Sequence, residues 1–151
     1  MIKIIREKEE KKQIARHILE ALPEWFEIPD AREEYILNSA EQVMFAVFDA
    51  DYPIGFLCLK ETGKDTMEIH VMGILKEYHR KGIGSLLLQK AKDFAKEKEY
   101  SFLQVKTVQM GKYPNYDKTN KFYLSQGFKE LDVLPKLWGE TNPCQIYVMS
   151  I

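Results

Sequence analysis

The chain has 151 residues, 45% of them hydrophobic and 30% charged, with 22 Lys plus Arg against 23 Asp plus Glu. That is the length of one domain with enough apolar content for an ordinary core, which excludes intrinsic disorder and collagen-like or linker-like chains. A formal net charge of −1 provides no global field for nucleic acid or an anionic membrane, so neither is expected as a partner.

In chain order, Ile2–Ile5 reads as a short strand. Ile14, Ala15, Ile18, Leu19 and Leu22 recur at helical spacing, and Pro23 ends that helix. Asp30 is the expected N-cap of a second short helix reaching about Leu37. Val43–Phe48 and Ile54–Leu59 flank the turn D-A-D-Y-P and predict a hairpin. Met67–Leu75 is a third strand of that group. Gly82–Lys98 is the clearest helix, with Ile83, Leu86, Leu87, Ala91, Phe94 and Ala95 on one face. Phe102–Val105 is a strand and Tyr116–Gln126 a helix with Gly127 at C′. Phe128–Val133 and Gln145–Met149 are closing strands. This order predicts one mixed α/β domain over residues 1–151, with a strand–helix–strand crossover from Met67 to Val105.

Cys58 and Cys144 sit in apolar surroundings, and His17, His70 and His79 show no ligand spacing. Neither a disulfide framework nor a metal site is expected. The charged run R-E-K-E-E-K-K near the N-terminus does not suit a secretory segment, and no apolar stretch approaches the ~20 residues of a membrane helix. A cytoplasmic protein is the expectation.

The most informative segment is Y78-H79-R80-K81-G82-I83-G84-S85-L86-L87, which joins a strand to the best helix. Glycines at 82 and 84 let backbone N–H groups converge. The helix dipole and the charges of Arg80 and Lys81 add positive potential, as a phosphate or pyrophosphate requires. The plainer reading is a glycine turn with two solvated cations. A dinucleotide fingerprint needs a third Gly where Leu87 stands, a P-loop needs its Lys after the second Gly, and no G-x-S-x-G elbow surrounds Ser85.

With these residues in hand, the sequence resembles the GNAT superfamily of N-acetyltransferases. H79-R80-K81-G82-I83-G84 fits the family loop [Q/R]-x-x-G-x-[G/A], with His79 where Gln or Arg is usual. E68-I69-H70-V71-M72-G73-I74 looks like the strand before it. T119-N120-K121-F122-Y123-L124-S125-Q126-G127-F128 resembles the family's F-Y-x-x-x-G-F helix. The resemblance covers about Val43–Phe128. It implies a GNAT-type acyl-CoA N-acyltransferase fold, a mixed, mostly antiparallel sheet with splayed parallel strands flanked by helices. It also implies direct transfer of an acetyl group from acetyl-CoA to a primary amine, without metal.

Glu68 and His70 lie two apart and share one face of their strand, while Ile69 and Val71 share the other. The resemblance implies Glu68 and His70 as general bases; a strand-end charge and a core imidazole are the structural alternatives. It implies Tyr123 as the acid that protonates the CoA sulfur, with Phe122 as its packing neighbour. Backbone groups near Val71–Gly73 would hold the pantetheine arm, with contacts from Met72, Gly73 and Ile74. His79, Arg80, Lys81, Gly82, Ile83, Gly84 and Ser85 would receive the pyrophosphate. Asn120 would bond the pantetheine or cap locally. Cys144 is expected to be a buried, inert thiol.

The amine acceptor is placed by analogy between Pro23–Tyr35 and Pro135–Pro143. Trp25, Phe26, Tyr35, Tyr113 and Trp138 are the candidate contacts, several with acidic neighbours suited to a cationic amine. Packing of both tryptophans in the core is the alternative. A monomer or homodimer fits equally. The rival function is a non-catalytic acyl-CoA sensor, which needs the loop at 79–84 but not Glu68, His70 or Tyr123.

Overall fold

A computed structural model describes all 151 residues. The elements are β1 (Ile2–Ile5), α1 (Lys8–Glu20), α2 (Pro29–Ser39), β2 (Val43–Asp49), β3 (Tyr52–Gly63) and β4 (Thr66–Ile74), then α3 (Ile83–Glu97), β5 (Phe102–Val108), α4 (Pro114–Ser125), β6 (Lys129–Leu134) and β7 (Cys144–Ser150). A 3₁₀ turn at Lys76–Tyr78 follows β4. The seven strands are ordered β1-β2-β3-β4-β5-β7-β6. The pairs β1–β2, β2–β3, β5–β7 and β6–β7 are antiparallel. This is the mixed α/β fold that the element order predicts, with the mostly antiparallel sheet that the resemblance implies. No helix is long and apolar enough to cross a membrane.

Several boundaries differ from expectation for local reasons. Asp30 is not the N-cap of α2; Ile28 is, and Pro29 takes the first helical position, where its missing N–H costs nothing. Pro114 does the same for α4, so that helix starts two residues before Tyr116. β5 runs on to Val108 because its partner β7 supplies a ladder as far as Val108 opposite Cys144. Leu86, expected on the buried face of α3, is 42% exposed, and Leu88 is buried instead.

The chain groups into two compact units. The first comprises Met1–Lys60 and Ile69–Phe94. In it α1 buries Ile14, Ala15, Ile18 and Leu19, all on the stripe read from the sequence. Each such side chain contributes about 1.5–3 kcal/mol when removed from water. Gly73 of β4 is what lets α1 lie so close. A Cβ there would meet Ile18 Cγ2 at 3.0 Å and Leu22 Cδ1 at 3.2 Å. Gly73 is therefore a packing glycine, and its missing side chain faces α1.

The second unit comprises Glu61–Glu68 and Ala95–Ile151. Leu103 and Val105 of β5, Tyr123 of α4, Phe128, and Tyr147 and Met149 of β7 are buried in it. Gly127 adopts φ 100, the left-handed conformation expected of a residue that stops a helix, immediately after the Gln126 cap.

The packing at Gly73 makes a prediction. Gly73→Ala recovers backbone entropy and asks neighbours to give by tenths of an ångström, so its stability should stay within about 1 kcal/mol of wild type. Gly73→Leu overpacks the α1 contact and should cost about 3 kcal/mol, a fall of roughly 6–12 °C in Tm. A Gly73→Leu variant that melts with wild type contradicts this packing.

Candidate functional site

In the first unit β4 divides its residues by alternation. Ile69, Val71 and Gly73 are buried, while His70, Met72 and Ile74 on the opposite face are half-buried. Gln42, just beyond α2, puts its amide nitrogen 2.8 Å from His70 Nδ1. In that orientation Nδ1 accepts and the ring proton rests on Nε2, while Gln42 Oε1 is buried without a partner. A half-turn of the amide instead pairs Oε1 with Nδ1–H. Gln42 is thus a direct partner of His70 Nδ1, and nothing in its sequence context signals this. The His70 ring lies 5.1 Å from Tyr35, whose ring meets Phe26 edge-on at 6.0 Å. Two of the expected acceptor residues are thereby joined to His70.

The turn after β4 is shaped by its backbone. Tyr78 N–H donates to the Leu75 carbonyl and His79 N–H to that of Lys76. Arg80 then adopts φ 62 and Gly82 φ 78, and α3 begins at Ile83. A Cβ at Gly82 would meet no atom within 4 Å, so it is the left-handed φ, not crowding, that calls for glycine. The first-turn N–H groups of α3 point out of its N-terminal end. No acidic residue stands in that first turn. Arg80, Lys81 and Ser85 are exposed, Ile83 is half-buried and Gly84 is buried. His79 behaves differently from expectation: its Nε2 donates to the Ile74 carbonyl at 2.7 Å. The donor expected for the ligand is spent on the end of β4.

The loop between α1 and α2 meets this turn. Trp25 packs edge-to-face on His79 with ring centroids 5.8 Å apart. Glu24 forms an ion pair with Lys76, which holds the Glu24 carboxyl below the usual carboxylate range. Arg16 grips Glu33 with two 2.7 Å hydrogen bonds, tying α1 to α2 on either side of the loop.

In the second unit Glu68 is 3% exposed. Its Oε1 accepts from Gln104 Nε2 at 2.8 Å and Lys106 Nζ at 3.0 Å. It is therefore a paired buried carboxylate, not a solvated strand-end charge. Gln104 and Lys106 alternate along β5 as Glu68 and His70 do along β4. That alternation in F-L-Q-V-K-T-V is the signal that could have found them.

Tyr123 and Phe122 differ in burial. Tyr123 is 5% exposed, packed against Phe128 and Tyr147, while Phe122 is only half-buried. The apolar surroundings raise the Tyr123 phenol well above its ordinary range, so it stays protonated. Asn120 is hydrogen-bonded within the same unit. Its Nδ2 donates to the carbonyls of Val108 and Tyr116, and its Oδ1 accepts from Tyr147 O–H at 2.6 Å. Both donor hydrogens are spent inside the fold, as in the local-capping alternative. Tyr113 donates to Asn142 Oδ1 at 2.9 Å and is 40% exposed, and Trp138 is 37% exposed. Trp138 is therefore no core residue. Burial raises the Cys144 thiol to about 11.

Residues 5–128 match the acetyltransferase (GNAT) family. The chain belongs to that family. The matched stretch contains β4, the glycine turn and Tyr123, and ends before Trp138. Among solved structures the fold is similar to a GNAT-family protein of Desulfovibrio desulfuricans, with TM-score 0.82, 16% identity and 99% of each chain covered. It is similar to an IAA acetyltransferase from Bacillus cereus, with TM-score 0.77, 20% identity and 100% of each chain covered. It is also similar to an aminoglycoside 6′-N-acetyltransferase solved with coenzyme A, with TM-score 0.73, 15% identity and 98% and 96% covered. No curated protein matches the sequence.

For this GNAT chain the Asn120 assignment is directly testable. Asn120→Ala takes its side-chain partner from the Val108 carbonyl and the Tyr147 hydroxyl in the core, at a cost of about 2–4 kcal/mol. Tm should fall by roughly 4–16 °C, with CoA affinity in the folded protein little changed. A pantetheine ligand would do the reverse, weakening CoA binding and leaving the melting curve alone.

Proposed function

We propose that the chain is an acetyl-CoA-dependent N-acetyltransferase that joins the acetyl group to a primary amine by direct attack. The observation that carries this reading is the turn from His79 to Gly84. Two left-handed residues, Arg80 and Gly82, lead straight into the N-terminus of α3, with the cations of Arg80 and Lys81 exposed beside it. Such a turn suits a pyrophosphate. A relative in fold solved with coenzyme A supports the same ligand.

The chemistry needs a neutral amine, a donor to the thioester oxygen and a proton for the departing thiolate. The amine nitrogen bonds to the carbonyl carbon, the C–S bond breaks, and the sulfur takes up a proton. In this reading backbone groups of Met72, Gly73 and Ile74 hold the acyl end of the ligand. Glu68, paired with Lys106, and His70, bonded to Gln42, take the proton from the amine. Tyr123 supplies the proton to sulfur, and its raised pKa keeps that proton in place across any ordinary assay pH. Trp25, Phe26, Tyr35, Tyr113 and Trp138 contact the acceptor. The working protein is a cytoplasmic monomer or homodimer.

The test is CoA thiol release from acetyl-CoA over a panel of primary amines. The protein adds no background to a thiol reagent, because Cys58 and Cys144 are buried, with their thiols pushed up to about 12 and about 11. Tyr123→Phe should lower kcat by roughly 10- to 10³-fold while acetyl-CoA affinity stays within a few-fold of wild type. Full activity in Tyr123→Phe removes this residue from the mechanism and favours the acyl-CoA sensor.

A further inference from the structure

Three contacts converge on the turn just ahead of the glycines, and the proposed chemistry uses none of them. His79 Nε2–H is bonded to the Ile74 carbonyl at 2.7 Å. The same ring receives Trp25 edge-to-face at 5.8 Å and 73°. Glu24, the residue before Trp25, is ion-paired with Lys76, three residues before His79. The Glu24 carboxyl is held down first by Lys76 and also by the His79 charge, which places all three groups in one electrostatic neighbourhood.

These contacts join two segments with different tasks. On one side stands the anion-binding turn, on the other the loop that carries Trp25 and Phe26. The loop is secured elsewhere by Arg32, whose Nη1 donates to the Phe26 carbonyl at 3.1 Å. The Glu24 and Lys76 side chains are each 45% exposed, and an exposed ion pair is weak. A single edge-to-face ring contact is also modest. The junction is therefore reversible, as a coupling element must be.

We propose that His79 is a positioning residue that couples the acetyl-CoA turn to the acceptor-side loop. It adjoins Arg80 in the turn that receives the anion, and seating the anion adjusts that backbone. Any such adjustment moves the imidazole, and with it Trp25. By linkage, an acceptor that repositions Trp25 then alters acetyl-CoA affinity by the same factor. This inference rests on the reading that the turn takes acetyl-CoA.

The chain has two tryptophans, so Trp138→Phe leaves Trp25 as the single emitter. In that background CoA is titrated twice, by calorimetry and by Trp25 emission, with melting curves in parallel. The expected result is an emission change whose midpoint matches the calorimetric Kd. His79→Gln keeps a donor for the Ile74 carbonyl and removes the ring. It should hold CoA affinity within about three-fold of its background and lose most of the emission change. Glu24→Gln, an exposed substitution, should weaken the change by a second route and serves if His79→Gln fails to fold. A tenfold loss of CoA affinity in His79→Gln would make His79 a phosphate ligand and overturn the inference. So would an emission change unaffected by both substitutions. Calorimetric binding with silent Trp25 emission overturns the coupling and leaves the functional reading standing. No calorimetric binding removes both.

Discussion

The chain has to leave β4 and enter α3 within nine residues, Leu75 to Ile83, and the backbone of that turn is the constraint on which the rest depends. Arg80 and Gly82 both take left-handed φ values there. For glycine this is free; for arginine it costs of order 1 kcal/mol and persists only because the surroundings enforce it. The His79 bond to the Ile74 carbonyl, the two N–H donations within the 3₁₀ turn and the Leu75 N–H bond to Ile54 supply that enforcement. What they hold is a helix N-terminus open to an anion.

β4 organises what stands before the turn. Its buried face is closed by α1, which approaches because position 73 has no side chain. Its other face carries Glu68 and His70, and each is oriented by a neighbour of complementary chemistry. Glu68 is held by Lys106 and Gln104, His70 by Gln42. Burying a carboxylate is costly unless it is paired and hydrogen-bonded. The bonds from Lys106 and Gln104 are thus what offset the burial of Glu68 at 3% exposure.

Much of this was legible in the sequence, because periodicity and turn chemistry are local. The α1 stripe, the β2–β3 hairpin, the Gly127 stop and the glycine turn are written in consecutive residues. What escaped was set by partners distant in sequence. Asn120 looked like a ligand because its neighbours Phe122 and Tyr123 match a motif, yet Val108 and Tyr147 claim its hydrogen bonds. Tyr123 and Phe122 are adjacent, and only the packing of Phe128 and Tyr147 decides which is buried. His79 looked like a loop donor until the fold brought the Ile74 carbonyl to it. Leu86 shares the apolar stripe of α3 in projection, but the buried line runs through Leu87, Leu88, Ala91 and Ala95.

The most direct measurement is a calorimetric titration of CoA into wild type and Gly84→Glu, with melting curves to establish folding and Ser101→Glu as an exposed control outside the turn. A carboxylate at position 84 would meet the pyrophosphate with bulk and like charge at the helix N-terminus. The account predicts binding by wild type and Ser101→Glu and no measurable binding by folded Gly84→Glu. Equal CoA affinity in all three proteins would contradict it.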